Sequence, residues 1–207
     1  MLRLMKARKE EENIFHNIIE CLVAALEAKD PYTKGHSTRV ADMAYDLAQK
    51  IGLKGKTLND VHIAAHLHDI GKIGIHDNIL NKKERLTPKE WRHIQRHAEI
   101  GYEILNKSGR LRDIAIIVLH HHERWDGKGY PLGKKGKEIP LGSRLIAICD
   151  SIDAITSERP YRRALSWDEC RQEIMVNKGT QFDPFLIEAV HEMWPEWQDH
   201  YSTMSRS

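Results

Sequence analysis

Helical periodicity constrains this chain more than any other feature. Ile14, Phe15, Ile18, Ile19, Leu22, Val23 and Leu26 recur at the spacing of an amphipathic helix. The turn Lys29-Asp30-Pro31 follows. A second helix is expected from about His36, carrying Val40, Ala41, Ala44, Leu47 and Ala48 and bounded by Gly52 and Gly55. A third, capped by Asn59 or Asp60, runs through Val61, Ala64 and Ala65 to His68 and stops before Gly71 and Gly74. Thr87-Pro88-Lys89-Glu90 is a capping box with proline at the first helical position. It predicts one helix through Trp91, Ile94 and His97 to Leu105. Further helices are expected over 111–122 and 143–157, from the capping box Ser166/Glu169, and from Asp183-Pro184, with Trp194 and Trp197 docking the C-terminal end. No strand-rich segment or internal repeat stands out. The expected fold is an all-α bundle forming one domain over 14–200, with a charged tail or linker remnant at 1–13 and a frayed end at 201–207.

The chain has 207 residues, and 32 basic against 30 acidic residues leave a net charge of +2. That balance gives no reason to expect a nucleic-acid polymer as partner. No apolar run is long enough to span a membrane, and the N-terminus lacks a signal-peptide core. Three cysteines form no CxxC pair, which suits a reducing, cytoplasmic setting. One segment breaks the helical pattern: the Gly- and Pro-rich stretch from Trp125 to Pro140. A loop of that length in a compact domain usually has a task.

The 13 histidines decide the chemistry. His68-Asp69 is an adjacent pair, and adjacent residues reach one centre only near a helix end. His121-His122 is a second pair, closing an apolar helix just before the Gly-rich loop, with His120 expected to face elsewhere. Taken singly, His36 and His97 suit hydrogen-bonded structural roles as well as ligation. Asp150 lies inside the apolar run Leu145, Ile146, Ala147, Ile148, Cys149, Ile152, where an unpaired carboxylate would be costly. Asp153 follows on roughly the same face. Together His36, His68, Asp69, His97, His121, His122 and Asp150 offer seven ligands, enough for two octahedral ions sharing Asp69. Mixed nitrogen and oxygen donors without cysteine suit iron or manganese, with zinc, cobalt and nickel left open. His66 is expected to point away from this face.

These residues carry a resemblance. His68-Asp69 with Gly71-Lys72 resembles the signature of the HD-domain metal-dependent phosphohydrolases. His121-His122-Glu123-Arg124-Trp125-Asp126-Gly127, followed by Gly129-Tyr130-Pro131, resembles the HD-GYP subfamily. The likeness extends over roughly 14–190, including Tyr32-Thr33-Lys34-Gly35-His36-Ser37, Arg159-Pro160-Tyr161-Arg162 and Phe182-Asp183-Pro184.

The resemblance implies a helical bundle with the GYP loop beside a metal centre, hydrolysing cyclic di-GMP to linear pGpG and, in some members, onward to GMP. It implies one ion at His36, His68, Asp69 and Asp150, and another at Asp69, His97, His121 and His122. Some members add a third ion through a glutamate one turn before the first histidine. Tyr32 stands there, and a phenol titrating near 10 is a poor substitute, so two ions are expected. Asp69 and Lys72 are the expected catalytic residues. Lys72, Tyr130, Asp153, Arg159 and Arg162 are the expected substrate contacts. A receiver or sensory partner domain and a homodimer are left open by the resemblance. So are two other readings: a phosphohydrolase of another cyclic dinucleotide or nucleotide, and a catalytically silent cyclic di-GMP-binding module.

Overall fold

The computed structural model describes residues 2–30, 33–158 and 163–204, with side chains over 14–201 within those spans. Ten α-helices lie among the described residues: α1 (Leu2–Lys29), α2 (His36–Lys50), α3 (Gly55–His66), α4 (Asp77–Leu80), α5 (Pro88–Gln95), α6 (His97–Leu105), α7 (Arg112–Leu119), α8 (Leu141–Thr156), α9 (Trp167–Val176) and α10 (Pro184–Met204). They contain no strand, and none is long and apolar enough to cross a membrane.

α2, α3, α7 and α8 form the centre, with α6, α9 and α10 packed around them. α2 buries Val40, Ala41, Met43, Ala44, Leu47 and Ala48. α8 buries Leu145, Ile146, Ile148, Cys149 and Ile152 and is covered on several sides. Removing such side chains from water contributes about 1.5–3 kcal/mol for each large aliphatic residue. Both capping boxes form: the Thr87 and Ser166 hydroxyls accept from the Glu90 and Glu169 amides. Trp194 and Trp197 are buried, as expected.

Several boundaries differ from the sequence expectation. α1 begins at Leu2, so the helix extends through residues 2–13, ahead of the apolar stripe. Its apolar stripe divides: Ile19, Val23 and Leu26 are buried, while Ile14, Ile18 and Leu22 remain exposed. α3 opens at Gly55, ahead of the expected caps, and Asp60 lies inside it, its Oδ2 2.5 Å from Lys56 Nζ one turn earlier. Tyr201 lies buried beside Trp167 rather than in a frayed end.

The most consequential difference is a break at Arg96. The sequence predicts one helix over 88–105, with His97 in its middle. Instead α5 ends at Gln95 and α6 starts at His97. The turn Ile70–Gly74 presses onto that break, and a Cβ on Gly71 would lie 1.8 Å from the His97 carbonyl oxygen. Only glycine permits this approach.

Candidate metal centre

Five chain segments deliver the seven expected ligands to one place. His36 is the first residue of α2, and Asp150 lies on α8. His68 and Asp69 fall in the turn after α3, where the backbone has left helical geometry at Leu67 (φ −106°, ψ 9°). That departure lets two adjacent side chains face the same centre. His97 opens α6, and His121 and His122 follow the end of α7.

The histidine rings are oriented by their outer nitrogens. Nδ1 of His68, His97 and His121 lies 2.6, 2.7 and 2.6 Å from the carbonyl oxygens of Ala65, Ile94 and Val118. Each carbonyl is three residues upstream, and accepting from Nδ1–H leaves the Nε2 lone pair pointing inward. His36 uses a carboxylate instead: Nδ1 stands 2.7 Å from Asp153 Oδ2. Asp153 in turn accepts from Arg39 Nε at 2.5 Å.

Asp69 occupies the junction of these groups. Its Oδ1 is 3.5 Å from His97 Nε2; its Oδ2 is 3.5 Å from His68 Nε2 and 4.0 Å from His36 Nε2. Two triads have mutually close ligand atoms, His36/His68/Asp69 and His97/His121/His122. Asp150 Oδ1 stands 3.4 Å from His36 Nε2. His97 Nε2 and His121 Nε2 are 3.3 Å apart. The residues fit a divalent ion on an observation independent of pattern: His68 Nε2 is buried and has no hydrogen-bond partner. Such an orphan is expensive unless something accepts its lone pair.

Electrostatics favour the ligating forms of His121, His122 and Asp69. Burial, with neighbouring His97, pushes His122 down to about 3, and burial with His122 and His97 drives His121 well below its ordinary value. Both therefore stay neutral. Burial alone would raise Asp69, but Lys72, His68, His97 and His36 outweigh it and hold the carboxyl well below the usual range. Burial opposes protonation of His36, yet Asp150 and Asp153 prevail and raise it to about 9.

The remaining expected site residues are distributed unevenly. Lys72 lines the cavity but is engaged, with Nζ 2.8 Å from Asp69 Oδ2 and 3.0 Å from Asp30 Oδ2. Tyr130 lines the same cavity, its ring centroid 4.7 Å from that of His122. Burial and the Asp150 and Asp69 charges push its phenol upward, so it remains a donor. Asp153 stands behind His36, bound to the imidazole and to Arg39, rather than at the cavity wall. Tyr32, Arg159 and Arg162 lie outside the described residues. His66 packs against His62 and His16, away from the centre, and His120 turns its Nδ1 to the Ile116 carbonyl.

Sequence reasoning missed three participants. Asp30 pairs with Lys72; its only signal was a buried-type acid before a proline turn. Arg39, which holds Asp153, had as its one signal a place one turn after His36. Glu123 is buried and accepts the Leu132 amide at 2.7 Å, fastening the GYP loop across His122. Gly129 makes that fold-back feasible, since a Cβ there would lie 2.4 Å from the Arg124 nitrogen.

The sequence pattern of the HD domain family matches residues 20–186. A cyclic di-GMP phosphodiesterase of Thermotoga maritima is 39% identical over 93% of this chain and 53% of its own length. A 3′3′-cGAMP-specific phosphodiesterase of Vibrio cholerae is 38% identical over 94% of this chain and 37% of its own. The chain thus spans about half or less of these curated relatives. Among solved structures, a cyclic GMP-AMP-specific phosphodiesterase of V. cholerae superposes with a TM-score of 0.67 at 20% identity, over 91% of this chain and 52% of that one. The HD domain of the L. monocytogenes phosphodiesterase PgpH gives 0.62 at 20% identity, over 86% and 97%. At that identity the likeness speaks for the fold.

Proposed function

The chain belongs to the HD-domain family, and from that premise we propose that it is a metal-dependent phosphodiesterase hydrolysing cyclic di-GMP to linear pGpG. One observation carries this reading: the two oxygens of Asp69 face different histidine groups, His97 on one side and His36 with His68 on the other. A shared carboxylate between two imidazole sets is what a two-ion phosphodiester site requires. We assign His36, His68, Asp69 and Asp150 to one ion, and Asp69, His97, His121 and His122 to the second. Iron or manganese suits these donors. A third ion is not part of the proposal, since position 32 offers a phenol rather than a carboxylate.

When bound, the ions neutralise the phosphodiester and lower the pKa of water. The chain's own residues do the rest. Water adds its oxygen to phosphorus as the bond to the 3′ oxygen breaks, and one of the protons of that water ends on the leaving 3′ oxygen. Lys72, kept charged by Asp69 and Asp30 despite its burial, offsets the negative charge that develops. Tyr130, its phenol kept protonated, donates a hydrogen bond to the substrate. Arg39 and Asp153 hold the His36 ring in orientation. Arg159 and Arg162 contact phosphate or guanine, as the resemblance implies. The three cysteines are free thiols, which supports a cytoplasmic setting. A receiver or sensory domain elsewhere in the full protein, and pairing of two copies, belong to the same proposal.

Cleavage of 3′3′-cGAMP is a second reading, favoured by relatives of that name at nearly the same identity. The test is a panel of cyclic di-GMP, 3′3′-cGAMP and cyclic di-AMP, incubated with protein loaded with Mn²⁺ or Fe²⁺ under reducing, low-oxygen conditions. Products are resolved by chromatography. We expect pGpG to appear first and cyclic di-GMP to be preferred. Cleavage of 3′3′-cGAMP alone would reassign the substrate. Binding without any linear product would make the protein a silent receptor.

A further inference from the structure

Trp91 is a large apolar side chain that packing does not explain. It is 48% exposed, yet it lines the cavity of about 320 Å³ that contains Asp69, Lys72 and His97. Leu80 and Ile94 line the same space. The Thr87/Glu90 capping box starts α5, and Lys82 reaches Glu90 at 2.7 Å. Two chemistries therefore meet in one cavity: cationic and metal-ligating groups, and an aromatic ring flanked by aliphatic side chains. A ligand combining an anionic diester with a flat heterocycle matches both.

We propose that Trp91 is a stacking platform for one nucleobase of the cyclic dinucleotide, with Leu80 and Ile94 completing the apolar shelf. The proposal rests on the substrate reading above and adds the residue that engages the base rather than the phosphate. An indole face accepts a purine with little dependence on its hydrogen-bonding edge. Trp91 thus favours nucleotide diesters over simple ones, while other contacts choose between guanine and adenine.

The test compares wild type, Trp91→Ala and Trp91→Phe. Titration with a non-hydrolysable phosphorothioate analogue of cyclic di-GMP, followed by calorimetry, is expected to show binding about tenfold weaker for Trp91→Ala and within about threefold for Trp91→Phe. Quenching of intrinsic fluorescence by the analogue is expected in wild type and reduced in Trp91→Phe. In turnover, KM rises more than kcat falls. The loss in kcat/KM on cyclic di-GMP exceeds that on methyl p-nitrophenyl phosphate, a diester with no base. Equal affinity of wild type and Trp91→Ala for the analogue overturns the assignment while leaving the substrate reading intact. Wild type that cleaves the simple diester but does not bind the analogue overturns both.

Discussion

Two groups of histidines lie within this molecule, and they differ in what holds them. Around Asp69, His36, His68, His97 and His121 each have Nδ1 tied to a carbonyl or a carboxylate. On the seam between α1 and α3, His16, His62 and His66 approach each other almost as closely, with ring centroids 4.8–6.4 Å apart. There, among the described residues, His16 has only a 3.4 Å contact to Glu20, and the rings of His62 and His66 have no hydrogen bond. Their ligand atoms do not converge on a common point. Proximity of imidazoles is therefore not what distinguishes a metal centre. What sets the centre apart is that four of its five imidazoles have the outer nitrogen engaged, which aims the inner one.

The sharpest way to break this comparison is at Asp69. Asp69→Ala is expected to lose both a bound metal and about 10³-fold in turnover, read by elemental analysis and product formation. Normal hydrolysis by a folded, metal-depleted variant would refute the two-ion mechanism. A smaller effect separates orientation from proximity. Asp153→Asn, which touches no proposed ion but weakens the hold on His36, is expected to cost about 10–100-fold in metal affinity. His66→Gln, in the other group, is expected to leave Mn²⁺ affinity within about twofold. Equal losses in both variants would end the argument from ring orientation.

The smallest effect is a pH slope. His62 is lowered from 6.5 by burial, with His16 adding repulsion and Asp46 opposing it. It also faces His66 and Tyr45. The unfolded chain takes up the proton first as pH falls. The stability His62 contributes is thus present above about 6.5 and declines below it. Thermal midpoints measured from about pH 7.5 to 5.5 are expected to fall more steeply for wild type than for His62→Gln. Parallel curves would show that His62 is not held neutral by burial.

Much of this was legible from the chain. Thr87/Glu90 and Ser166/Glu169 were readable because a cap joins atoms three residues apart. The pairs His68-Asp69 and His121-His122 were readable because each ends an apolar helical pattern, and Asp150 because a carboxylate in an apolar run needs a partner. His97 was harder. Its periodicity suited a helix interior, and nothing within reach along the sequence announced the break at Arg96. Asp153 was placed on the correct helix face but near the substrate, since its partners Arg39 and His36 lie more than a hundred residues away. Trp91 read as one more apolar residue of α5 until the cavity beside it was visible.

By itself, the sequence determined most of the helices, the two capping boxes and the side chains able to bind metal, since propensity, periodicity and capping act over one or two turns. Only the tertiary structure decided that Asp153 orients the His36 ring, that Asp69 stands between two groups, and that α5 and α6 part where Gly71 meets His97. Those outcomes depend on close approach between segments distant along the chain, and no local pattern encodes that distance.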